Sequence, residues 1–291
     1  MTGEIAGRTN GEARVGIFQI AYNDETQEQR DKAFTVLDCR DDPAPQRREI
    51  HHIINFHKAG THRNYDYCGL FSPKFSEKTR ISGEQYIRFI KDNPGFDVYF
   101  INPFPLLKYY AFNVWEQGEL SAPGLCELAN QVLAAAGIPV DVRKLPRNTA
   151  DTLLYCNFWV GNAKFWDEFL HFIGRLIDGL ERLPEPVRQV IFGPAPYLTA
   201  ATYFPFIFER MFSTYLLLRR DIKALPYPFP RDALGPYYFT DMERLLIAEW
   251  GPMIDDWDEA GVYDEDKRRI FRALLKITYL YAALRLQVVN R

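Results

Sequence analysis

The chain has 291 residues, 47% of them hydrophobic, 15% aromatic and 25% charged, with a formal net charge of -3. That length suffices to bury a substantial core as one large or two smaller domains. The acidic balance and the scattered Arg-Arg pairs at 47–48, 219–220 and 268–269 argue against a dedicated nucleic-acid binder, which needs a basic face.

Residues 1–14 are polar and lack the apolar stretch of a signal peptide, so a short disordered lead is expected. Residues 15–21 read as a β-branched-rich strand, followed by a charged helix over 25–33 and a second short strand at 35–37. A polar loop carrying Asp38, Asp41 and Asp42 precedes a helix over 48–58. Strand and helix alternate again at 67–71, 82–91 and 97–101. This alternation predicts βαβ units and a mostly parallel sheet flanked by helices.

Beyond Asn102-Pro103, helices are expected at 106–115 and 124–136, the second ending at Gly137. A buried strand follows at 155–160, then a long amphipathic helix at 163–183. The last third reads as mainly helical, with helices at 204–219 and 264–289 and a short edge strand near 222–228 that proline ends. Pro184-Glu185-Pro186 is the best candidate for a hinge between subdomains. Every candidate membrane span is interrupted by Lys, Arg, Asp or Pro. Cys39, Cys68, Cys126 and Cys156 show no CxxC pairing and suit buried free thiols in a reducing cytoplasm.

The run 65–79 passes from an apolar strand straight into a lysine-bearing turn. Ligands of open α/β sheets sit outside the carboxyl ends of strands, so Ser72, Lys74 and Lys78 are poised for an anionic ligand. Asn102 and Asn157 stand at two further strand ends, and the three ends could line one crevice. His51, His52 and His57 share a helix without the i, i+4 spacing of a metal pair, and packed or solvated histidines are expected there. Asp38, Asp41 and Asp42 suit either helix capping or a divalent cation. The Walker A, GxGxxG and GxSxG patterns are all missing.

The ordered segments Ile17-Phe18-Gln19-Ile20, Arg48-Glu49-Ile50, Tyr67 to Phe75, Asn157-Phe158-Trp159-Val160 before Phe165-Trp166, and Phe208-Glu209-Arg210-Met211-Phe212 resemble bacterial GT-A-type glycosyltransferases of surface-polysaccharide loci. The resemblance implies a GT-A-like domain over 15–230, with 231–291 a helical extension packed on it. It implies transfer of a sugar from a nucleotide-sugar donor to a cell-surface glycan, in the cytoplasm or at the inner face of its membrane. The donor would meet Gln19, Asn23, Ser72, Lys74, Lys78 and Asn102.

Where such enzymes place a metal-holding Asp-x-Asp, this chain reads Ser72-Pro73-Lys74. Lys74, Lys78 or both would then stabilise the leaving diphosphate without a metal, and Asp38, Asp41 and Asp42 are the fallback for a divalent cation. Glycosyl transfer also needs a base for the acceptor hydroxyl, and the candidates in order are Glu209, Glu116 and Asp151. Asn157 and the flat faces of Trp159, Trp166 and Trp115 are the acceptor-side candidates, although core packing would occupy at least two of the tryptophans. The missing Asp-x-Asp leaves a competing expectation, a non-catalytic carbohydrate-binding or scaffold protein with this fold. Basic and aromatic residues over 268–281 suit a packing helix and also peripheral contact with a membrane.

Overall fold

A computed structural model of the chain describes residues 12–196 and 201–289, the side chains of 285–289 excepted. Most of the expected disordered lead falls outside these residues, but Arg14 is tied to the start of the third strand, its N–H donating to Asp66 Oδ2 at 2.9 Å. The architecture is α/β: one mixed, mostly parallel sheet flanked by helices, with a helical C-terminal region.

The strands are β1 (Val15–Ala21), β2 (Thr35–Asp38), β3 (Tyr67–Phe71), β4 (Val98–Phe100), β5 (Trp159–Gly161) and β6 (Ala224–Pro226), in the order β2-β1-β3-β5-β4-β6. β1 runs parallel to β2 and β3, and β4 parallel to β6, whereas β5 is antiparallel to both its neighbours, β3 and β4. β5 alone therefore runs against the other strands. Its amino end meets the carboxyl ends of β3 and β4, with Trp159 opposite Phe100. Gly69 makes this close pairing feasible, because a Cβ there would lie 2.7 Å from Val160 and 2.9 Å from the Trp159 carbonyl.

Period-2 alternation distributes the strand side chains between two cores. Phe18, Ile20, Leu70, Phe100 and Trp159 enter the larger one; Ile17, Phe71, Tyr99 and Val160 enter the smaller. The helices are α1 (Asp24–Glu28), α2 (Arg48–Lys58), α3 (Phe75–Thr79), α4 (Gly83–Asp92), α5 (Leu107–Tyr110), α6 (Val114–Ser121), α7 (Leu125–Ala135), α8 (Ala163–Arg182), α9 (Glu185–Phe192), α10 (Tyr203–Glu209), α11 (Met211–Leu218), α12 (Asp241–Ala260) and α13 (Glu265–Val289). α2 and α8 lay apolar faces on the larger core, while α3 and α4 cover the smaller.

Four expected elements differ most in extent or continuity. The helix expected over 25–33 stops at Glu28, because Asp31 turns the chain and its carboxylate accepts from Ala33 N–H. The helix expected over 106–115 is two pieces. Ala111 is extended, and Asn113 caps α6 by accepting from Trp115 and Glu116 N–H. The buried Arg147 guanidinium donates to the Lys108, Ala111 and Phe112 carbonyls exposed at that break. The helix expected over 204–219 divides at Arg210 into α10 and α11. The strand expected over 155–160 pairs only from Trp159, since Cys156 and Asn157 are left-handed, at φ 67° and 52°.

Candidate functional site

The turn after β3 is positioned from below by Gln19. Its amide donates to the Ser72 and Pro73 carbonyls at 3.2 and 2.8 Å, and its Oε1 accepts from Asp31 N–H at 2.9 Å. α3 then carries Lys78 back over the end of the sheet, where the segment entering β5 brings Tyr155, Cys156 and Asn157. α10 ends at the same place with Glu209. The reversed direction of β5 is what delivers an entering segment to an edge otherwise made of strand exits.

These elements enclose a crevice with two lobes. The larger, about 390 Å³, is lined among others by Phe104, Gln117, Tyr155, Arg210 and Tyr279. The smaller, about 170 Å³, is lined by Arg48, Glu49, Ser72, Asn157 and Pro205 with their neighbours. Lys78, Cys156, Phe206 and Glu209 line both lobes and form the wall between them.

That wall is a connected polar unit. Lys78 Nζ lies 3.1 Å from Cys156 Sγ, and Cys156 N–H donates to Glu209 Oε1 at 2.7 Å. Glu209 Oε2 is 3.8 Å from Arg210. Arg210 is itself buried and its guanidinium is spent on the Val114 and Phe206 carbonyls and on Gln117 Oε1. Burial opposes charge on Lys78, but the Cys156 sulfur and the Glu209 and Glu49 carboxylates outweigh it and hold the lysine above its ordinary range. Burial, reinforced by the Glu209 carboxylate, pushes the Cys156 thiol well up despite Lys78. The wall at neutral pH therefore sets an ammonium beside a neutral thiol.

Backbone strain gathers at the same place. Among the described residues four non-glycine positions have positive φ, and three of them, Arg48, Cys156 and Asn157, line the smaller lobe. Such conformations cost of order 1–3 kcal/mol each and persist where surrounding structure enforces them. In the larger lobe the Tyr155 hydroxyl is buried without a hydrogen-bond partner, and burial raises its pKa.

Ser72, Lys78, Asn157 and Glu209 are thus brought together. The other sequence candidates lie outside the crevice, most of them engaged elsewhere. Gln19 is the buried turn brace, Asn23 caps α1 through Thr26, and Asn102 closes a local turn with Phe104. Lys74 is exposed at the start of α3, and Asp151 is exposed in a turn. Glu116 is held by Arg268 and Arg272. Trp115 and Trp166 are core residues bonded to Thr214 Oγ1 and the Cys68 carbonyl, and Trp159 packs among Phe165, Trp166 and Phe169.

The fallback carboxylates do not form a cation cluster among the described residues. Asp38 is bound by Arg40, whose guanidinium and N–H hold its carboxyl down at about 2, and Asp42 Oδ2 faces His52 at 3.3 Å. Sequence reasoning gave no site role to Arg48, Glu49, Gln117, Tyr155, Cys156 or Tyr279. Their only common sign is structural, since they converge from four segments. Comparison with protein-family models, with curated proteins and with solved structures gave no match to this chain.

Proposed function

We propose that the chain is a nucleotide-sugar-dependent glycosyltransferase acting on a cell-surface glycan, with Lys78 in place of a metal at the donor diphosphate. The observation that carries this reading is the wall shared by the two lobes, where Lys78 and Glu209 both meet Cys156 at the carboxyl edge of the sheet. The smaller lobe, with Ser72, Arg48 and Lys78, suits the diphosphate. The larger lobe offers the Tyr155 hydroxyl and the partly exposed ring of Phe104 to sugar hydroxyls and faces.

In the reaction, the acceptor oxygen forms a bond to the anomeric carbon as the bond from that carbon to the diphosphate oxygen breaks. Glu209 takes the acceptor proton, and the departing electron pair rests on a diphosphate oxygen beside Lys78. A GT-A-like arrangement of the sheet belongs to this reading, supported by the mixed sheet and its strand-end crevice. No helix among the described residues is long and apolar enough to cross a membrane. A lipid-linked acceptor would be met at the surface, where Ile277, Leu280 and Leu284 of α13 are exposed.

The test is a panel of nucleoside diphosphates and nucleotide sugars, read by thermal shift and by release of nucleoside diphosphate, with and without added magnesium or manganese. One nucleotide class should raise Tm, since it binds only the native state, and turnover should not require the added cation. Donor binding without turnover would favour the non-catalytic carbohydrate-binding alternative. No response to any nucleotide would sink the proposal.

A further inference from the structure

At the far end of α2 from the crevice, three potential ligands from three elements meet. His57 lies in the last turn of α2, His62 in the turn before β3, and Asp167 in the first part of α8. α2 spans its 11 residues in about 16 Å, so this cluster and Arg48 of the crevice stand at opposite ends of one rigid rod.

We propose that His57, His62 and Asp167 bind a zinc-class divalent cation that ties the end of α2 and the following turn to α8. His57 Nε2 lies 2.9 Å and His62 Nε2 3.5 Å from the same oxygen, Asp167 Oδ1, and all three ligand atoms fall within 4.8 Å of one another. A tetrahedral shell with bonds near 2.0–2.1 Å places its ligands about 3.4 Å apart, a spacing that slight rotation of the two rings reaches. Two imidazoles and a carboxylate are the ligand chemistry of zinc and its first-row neighbours.

The independent sign is His62. It is 1% exposed, and neither ring nitrogen makes a hydrogen bond, its approach to Asp167 being too long for one. An unpartnered buried imidazole is costly, and a cation at Nε2 relieves it. The rings are already aligned: His57 and His62 stack with each other and with Trp166. Arg63 donates to both Asp167 oxygens, at 2.6 and 2.8 Å. With the cation on Oδ1, Arg63 keeps Oδ2 and orients the ligating carboxylate. His57 and Asp167 are both partly exposed, which leaves an entry path and a solvent-facing fourth position.

The experiment uses tag-free full-length protein, loaded with zinc sulfate, dialysed against metal-free buffer and analysed for metal. About one zinc per chain is expected, with a saturable Tm rise of roughly 5 °C on adding zinc to stripped protein. His57→Gln and Asp167→Asn, both at partly exposed positions and checked for native circular dichroism, should each lower zinc retention at least about tenfold. Cobalt(II) should give the intense visible bands of a four-coordinate site. Wild-type protein that neither retains zinc nor gains Tm with it would overturn the proposal. Undiminished zinc retention in both folded variants would overturn it equally.

Discussion

Between Tyr155 and Gly161 the chain passes from the wall of the crevice to a strand of the core, and each part buries a polar atom without a partner. Tyr155 lines the larger lobe with its hydroxyl buried, whereas Trp159 Nε1 is enclosed by aromatic rings. The two residues are alike in burial, at 3% and 2% exposure. What separates them is the space alongside. An unsatisfied group next to a cavity can be completed by a ligand, while one inside a packed layer is a cost that surrounding contacts offset. The left-handed pair Cys156 and Asn157 is the joint between the two regimes.

The comparison is tested most severely at the wall itself. Glu209→Gln keeps an acceptor for Cys156 N–H but removes the base, so kcat/KM should fall about 10²–10⁴-fold with little change in Tm. Lys78→Met should cost about 10²–10³-fold in kcat, read with the same donor. An active Glu209→Gln enzyme would place the base elsewhere. On the core side, Trp159→Ala should lose about 3–5 kcal/mol of stability by chemical denaturation, as removal of a fully packed aromatic does. A loss below about 1 kcal/mol would mean that the ring does not belong to the packed layer. The smallest effect is expected at Tyr155→Phe. Its hydroxyl has no protein partner, so stability should hold or rise slightly, while ligand affinity measured by calorimetry drops about 5–10-fold. Destabilisation without an affinity change would erase the contrast with Trp159.

Much of the regular structure could be read from local pattern. The helix at 48–58 and the strand at 67–71 have the expected bounds, and Gly137, at φ 69°, follows α7 as its composition implied. Pattern failed where a single buried side chain decides the backbone. Arg147, distant in sequence, satisfies the carbonyls freed between α5 and α6, and nothing near residue 111 announces it. The site was legible only in part for a related reason. Lys78, Ser72, Asn157 and Glu209 were visible as polar residues next to strand or helix ends. The tryptophans looked equally available because flat rings serve sugar stacking and core packing alike. His62 and Asp167 carry no local sign, because the i, i+4 spacing marks a metal pair only within one helix, whereas the bond from His57 to Asp167 spans 110 positions.

The place of Tyr279 in the crevice has a consequence for how the protein matures. Its hydroxyl meets Ser121 Oγ at 3.1 Å and Gln117 Nε2 across 162 positions of sequence, so α13 completes a wall begun by α6. Contacts of such long range repay their loop-closure entropy late in folding. The crevice is therefore complete only once α13 has docked on α6. Any ligand that needs that wall would bind only the chain with its last helix in place, and would stabilise that form by mass action.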